Sequence, residues 1–165
     1  MINTSYRLAP WADILYACDM EWWDKYVDDV KEKFQGEMCS QDVRAGKHGV
    51  THTPGKRASG LGKRELHFGG NSGYQAVNLA FLRGAKRIVL LGYDMQQQVG
   101  GPSHWHGDHP AGLSKHSPLA DWVRQFRALA SDLKREGITV INASRETALE
   151  CFLRQELGVA LEELA

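Results

Sequence analysis

From Met20 to Phe34 the apolar residues Trp22, Trp23, Tyr26, Val27, Val30 and Phe34 recur every three or four positions with charges between them. That spacing predicts an amphipathic helix, with Gly36 placed to end it. Just before it, Asp13 to Cys18 is a short apolar run closing on Asp19, which reads as a buried strand whose C-terminal end presents a carboxylate. Glu37 to Ser40 fits a second short strand. The pattern then lapses, because Arg44 to Lys63 holds seven Lys, Arg or His, five Gly and one Pro without periodicity. A stretch of that kind predicts a loop long enough to be a mobile flap.

Glu65 to Phe68 resumes as a short strand running into Gly69-Gly70-Asn71-Ser72-Gly73. Tyr74 to Arg83 is apolar almost all round (Ala76, Val77, Leu79, Ala80, Phe81, Leu82) and stops at Gly84, so it predicts a buried helix. Lys86 to Leu91 is the clearest strand, closed by Gly92-Tyr93-Asp94, and its unbroken apolar run predicts a central parallel position. Gln96 to Ser117 is again irregular. Pro118 suits the first residue of a helix capped by Ser117, with Leu119, Trp122, Val123, Phe126, Leu129, Ala130 and Leu133 as its stripe and Gly137 as its end. Ile138 to Ile141 predicts another strand, Asn142 to Ser144 a turn, and the last twenty residues one or two helices. Strands alternating with helices imply an α/β fold: one domain over 1–165, an open, mostly parallel sheet with helices on both faces, and irregular loops at about 41–64 and 96–117.

The composition adds exclusions. Twenty basic residues balance twenty acidic ones, so no overall field would hold nucleic acid or an anionic membrane surface. No apolar run is long enough to span a bilayer and the N-terminus lacks a signal-like pattern, which points to the cytoplasm. Cys18, Cys39 and Cys151 are odd in number and widely spaced, as suits reduced thiols, two of them in apolar surroundings expected to be core.

Two segments carry candidate chemistry. A glycine-rich turn between strand and helix lets backbone approach a ligand, while the free N–H groups and dipole of the first helical turn favour negative charge. Gly70, Asn71, Ser72 and Gly73 have that chemistry. They match neither a P-loop nor a dinucleotide fingerprint, and an N-cap with glycines for tight packing explains them equally well. His104-Trp105-His106-Gly107-Asp108-His109 has the HxHxDH pattern of zinc hydrolases of the metallo-β-lactamase type, with His104, His106, Asp108 and His109 as metal ligands. That fold needs two many-stranded sheets and further downstream histidines, whereas only His116 follows here. The same histidines suit a substrate-side loop that contacts phosphate or moves protons near neutral pH.

Taken together, Asn3, Ala9-Pro10-Trp11-Ala12-Asp13 leading to Asp19, Gly70-Asn71-Ser72-Gly73, and Leu91-Gly92-Tyr93-Asp94-Met95 resemble motifs of the 6-hydroxymethylpterin diphosphokinase-like (MptE-like) proteins and the related family 42 bacterial sialyltransferases. More closely, the whole chain resembles a small protein type carried by bacteriophages and prophages. The resemblance implies a Rossmann-like sheet entered at its second strand, near Asn3, with the first strand and its phosphate-wrapping loop missing. An exposed sheet edge of that kind favours a homo-oligomer or another partner chain. The resemblance also implies a nucleotide or nucleotide-sugar substrate, used for glycosyl or diphosphoryl transfer and held by Asn3, Ser72 and Gly73; Asp19, Gly70, Asn71, Gly92 and Asp94 join them because strand ends and a helix N-terminus are expected to face the same edge of the sheet. His116-Ser117-Pro118-Leu119-Ala120-Asp121 reproduces the spacing of that family's general base, which implies His116, with His106 as the other candidate proton acceptor. Of the tyrosines that assist the departing phosphate there, only Tyr93 has a counterpart. A non-catalytic phage accessory or ligand-sequestering protein is the alternative that keeps the pocket without the chemistry.

Overall fold

The computed structural model describes residues 1–96 and 118–162. Their strands form small, open, parallel sheets interleaved with helices, a mixed α/β fold. Strands β1 (Ile14–Tyr16), β2 (Glu37–Ser40) and β3 (Thr51–His52) lie side by side in that order, all parallel. The expected N-terminal strand around Asn3 is not formed. Asn3–Arg7 is a 3₁₀ turn, and the extended segment shrinks to Ile2, which makes one parallel bridge to Tyr16. The cause is local: Asn3 has φ +46°, a left-handed conformation that turns a chain out of a strand.

Helix α1 (Met20–Lys33) crosses between β1 and β2 and buries Met20, Trp22, Trp23, Val27 and Val30, the stripe its periodicity predicts. These pack with Tyr6, Leu15, Phe34, Ala45 and Val50, and the Trp23 indole donates to the Ala17 carbonyl at 3.0 Å. Gly36 does not end the helix through a left-handed turn. A Cβ there would lie 2.4 Å from the carbonyl oxygens of Ala12 and Asp13, so the glycine lets the start of β2 pass close to the start of β1.

Residues 41–64 are not the structureless loop that their composition suggests. They hold a 3₁₀ turn (Val43–His48), strand β3 and strand β4 (Gly55–Lys56), and β4 pairs in parallel with β5 (Leu66–His67). Two-residue strands are held by backbone pairing and leave no hydrophobic period to read. Helix α2 (Ser72–Leu82) follows. Its Tyr74 and Val77 join one apolar cluster, while Leu79 and the half-buried Leu82 join another with Tyr16, Cys39 and Leu66. It thus packs between the two larger sheets.

The second three-stranded sheet runs β6 (Arg87–Leu90), β7 (Thr139–Asn142), β8 (Leu153–Arg154), all parallel. Among the described residues β6 is therefore an edge strand and not the central one its apolar run predicts. Ile88 and Leu90 are apolar because they pack into the cluster with Tyr74, Phe126, Leu129 and Leu133 of the helices, not because strands flank β6 on both sides. Helix α3 (Leu119–Arg135) begins after Pro118, which takes the cap position expected for Ser117. Its end is a Schellman turn: Gly137 (φ +71°) donates to the Lys134 carbonyl at 3.1 Å and Ile138 to the Leu133 carbonyl at 2.9 Å, with Ile138 and Leu133 both buried. The C-terminal region, expected as helix, contains β8 before the short α4 (Leu157–Glu162). Among the described residues no helix is long and apolar enough to cross a membrane.

Candidate functional site

The glycine-rich turn connects β5 to α2, and its glycines are required by aromatic neighbours. Gly69 and Gly70 have φ of +51° and +97°. A Cβ on Gly69 would lie 2.2 Å from the Tyr74 ring, and one on Gly70 would lie 2.9 Å from the Trp122 indole nitrogen. Gly73 is in tighter than ordinary contact with the Tyr93 ring, 3.1 Å from an added Cβ. The tight-packing explanation of these glycines is therefore correct as far as it goes. It does not account for the polar groups at the helix start.

Asn71 is the N-cap of α2, its Oδ1 accepting the Tyr74 N–H at 2.9 Å. The other end of its amide, Nδ2, is buried with no hydrogen-bond partner. The N–H groups of Ser72 and Gly73 belong to the first turn of α2, where no intrahelical acceptor exists. An orphaned buried donor costs on the order of 1–3 kcal/mol. The donor set at the α2 start is therefore matched to an acceptor-rich, anionic group.

Ser72 joins this helix start to two chain segments distant in sequence. Its Oγ accepts the Cys18 N–H at 3.1 Å and stands 3.1 Å from Cys18 Sγ and 3.4 Å from Asn3 Oδ1. Cys18 Sγ in turn lies 3.4 Å from Asp19 Oδ2. Asn3, Cys18, Asp19, Asn71, Ser72 and Gly73 thus come together where the C-terminal end of β1 meets the N-terminus of α2. Burial and the Asp19 carboxylate push the Cys18 thiol up to about 12, so it is a neutral thiol and not a nucleophile at physiological pH. Cys39 is fully buried and pushed up to about 11 by burial and Glu37, whereas Cys18 and Cys151 are only half-buried.

Tyr93 carries the end of β6 to the same place, its hydroxyl donating to the Gly73 carbonyl at 3.1 Å and its ring packing edge-on against Phe126. Burial raises this phenol far above its ordinary value, so it serves as a neutral donor. Gly92 (φ +71°) makes the turn out of β6 and is exposed. Asp94 is also exposed, its carboxyl raised by partial burial and then by the neighbouring Glu146, and none of its contacts is with Ser72 or Asn3. A cleft of about 560 Å³ opens elsewhere, between Met95, Ala148 and the first half of α3, and none of the predicted ligand residues lines it.

His104, His106, Asp108, His109 and His116 lie outside the described residues. Asp121, the partner in the His116 spacing, sits in the first turn of α3 and pairs with Arg124. Among the described residues no three His, Cys, Asp or Glu side chains are grouped to hold a metal ion. The residues that pattern reading missed are Cys18, Gln75 and Asn78. Ser72, Gln75 and Asn78 recur every third position of an otherwise apolar helix, and that polar stripe is the signal that could have found Gln75 and Asn78; Cys18, after β1, carries no such signal. Comparison with protein-family models, with curated proteins and with solved structures finds no match to this chain.

Proposed function

We propose that the protein binds a nucleotide or nucleotide-sugar at the start of α2, as a transferase-like protein of phage origin on a Rossmann-like sheet. The observation that carries this reading is the donor set of the helix start (the unpartnered Asn71 Nδ2 and the first-turn N–H groups of Ser72 and Gly73) beside the ends of β1 and β6. A phosphate seated there accepts from the helix N-terminus, while Asn3 and Asp19 stand at one side to meet sugar hydroxyls or base edges. In the transfer reaction His116, or else His106, takes the acceptor's proton, and the glycosyl or diphosphoryl group moves from the nucleotide to that acceptor.

Isothermal titration of the folded protein with CMP, CDP, CMP-sugars and nucleoside triphosphates tests binding. One saturable site per chain, weakened by Asn71→Ala, is expected; absence of heat with every ligand overturns the reading. A second reading, a binding protein without chemistry, is favoured by the engagement of the Ser72 hydroxyl with Cys18 and Asn3, which leaves it no free role in a reaction. Recovery of the bound ligand unchanged, with affinity unaffected by His116→Ala, would decide for that reading. The zinc-hydrolase alternative predicts about one zinc per purified chain, measured by elemental analysis.

A further inference from the structure

Strand β1 and helix α2 are joined by hydrogen bonds one level deeper than the ligand site. Tyr16 and Cys18, two apart, share a face of the β1 strand and its extension; Ser72 and Gln75, three apart, share a face of α2. The outer link is Cys18 N–H to Ser72 Oγ at 3.1 Å. The inner link is Tyr16 hydroxyl to Gln75 Oε1 at 2.5 Å, between side chains 1% and 3% exposed. Gln75 Nε2 donates onward to the Phe68 carbonyl at 3.0 Å, immediately before the glycine turn. One amide therefore ties down both the strand below the site and the backbone entering the turn.

An apolar pair at these positions would bury the same area without desolvating a phenol and an amide. Hydrogen bonds fix something that burial does not, the axial position of the helix. Sliding α2 along β1 by one residue, about 1.5 Å, pulls both links off their geometry while leaving apolar contact largely intact. The groups whose position this sets are the Asn71 amide and the Ser72 and Gly73 N–H groups.

We propose that Tyr16 and Gln75 are positioning residues for the ligand site: through their shared hydrogen bond they hold the donors of the α2 N-terminus at a fixed distance from the end of β1. This rests on the binding reading above. The test compares wild type, Tyr16→Phe and the double variant Tyr16→Phe/Gln75→Met, which replaces both polar partners by apolar groups of similar volume. CDP and inorganic pyrophosphate are titrated while the Ser72 and Gly73 backbone amide resonances are followed by NMR, and melting is recorded in parallel. The double variant is expected to stay folded with a melting temperature within about 5 °C of wild type. Its affinity is expected to fall about tenfold, with Ser72 and Gly73 amide shifts already displaced before ligand is added. A folded double variant with wild-type affinity and shifts overturns the positioning role alone. Wild-type protein that binds neither probe overturns the binding reading, and this proposal with it. If the double variant does not fold, Tyr16→Phe, which removes a single oxygen, decides by the same readings.

Discussion

Tyr6 and Asp29 form a polar contact whose pH dependence has two limbs of opposite sign. The buried Tyr6 hydroxyl donates to Asp29 Oδ2, which also receives Arg7 Nη2 at 2.9 Å, while Lys33 holds the other carboxylate oxygen. Hydrogen bonds from Lys33 and then Tyr6 hold the Asp29 carboxyl well below the usual range. Burial, and then Asp29, pushes the Tyr6 phenol up to about 12. A carboxyl depressed by folding stabilises the fold above its unfolded value near 4, and that contribution is lost as pH falls through the folded value. A phenol raised by folding stabilises below its unfolded value near 10, and that contribution is lost as pH rises through about 12. Asp29→Asn should therefore cost about 1 kcal/mol at pH 7 in urea unfolding, a figure kept small because the pair is partly solvated. The gap to wild type should narrow below about pH 4. Tyr6→Phe should show the mirror behaviour, its gap narrowing above about pH 10. A gap for Asp29→Asn that stays constant down to pH 2 would reject the assignment. None of this was legible in the sequence, because residues 6 and 29 belong to no common period. The same holds for Ser72 and Cys18, 54 positions apart, which only the packing of α2 on β1 brings together.

Elements were readable in proportion to their length. The stripes of α1 and α3 repeat over several turns, and both helices fall within a residue or two of expectation. Strand β2 occupies the expected Glu37–Ser40. Strands β3, β4, β5 and β8 span two residues each, too few for alternation to register, and of these only β5 was anticipated, from its place before the glycine turn. The end of α3 was legible because Gly137 alone carries its chemistry, whereas Gly36 serves close packing and Pro118 takes the cap expected of Ser117. Two glycine substitutions separate conformational need from mere tolerance. Gly137 closes the α3 Schellman turn with positive φ, so Gly137→Ala should destabilise by about 1–2 kcal/mol. Gly46 lies in the 3₁₀ turn without positive φ and with nothing within 4 Å of an added Cβ. Gly46→Ala should therefore be neutral or stabilising by up to about 1 kcal/mol through the unfolded chain. Thermal melting of the two variants checks the order; equal melting temperatures would contradict it. The cap Asn71, legible from the turn itself, should cost about 1 kcal/mol when changed to Ala, apart from any effect on ligand binding.

At the scale of the whole molecule, the segment expected as a flap is a bolted connection between two helices. Tyr74 of α2 donates through its hydroxyl to the Gly60 carbonyl at 2.7 Å, and Asp132 of α3 accepts the Leu61 N–H at 2.8 Å. Asn78 completes the attachment: Oδ1 accepts from the N–H groups of Gly62 (2.9 Å) and His67 (3.0 Å), and Nδ2 donates to the Gly62 carbonyl at 2.8 Å. Asn78 is fully buried, and its two bonds to Gly62 form out of contact with water, while the one to His67 is partly buried. Replacing it by Leu keeps the volume but strands two donors and an acceptor in the interior, a change expected to cost about 3 kcal/mol or more. Because the damage falls where β5 enters the glycine turn, its signature is regional as well as global. Amide hydrogen exchange should show Gly62 and His67 losing protection well beyond the overall loss of stability, while amides of α1 lose only the overall amount. Uniform loss of protection across both regions would mean that the 60–67 segment does not open as a unit. Localised loss would mean that the turn carrying Asn71, Ser72 and Gly73 is held from the loop side by Asn78 as it is held from the strand side by Gln75.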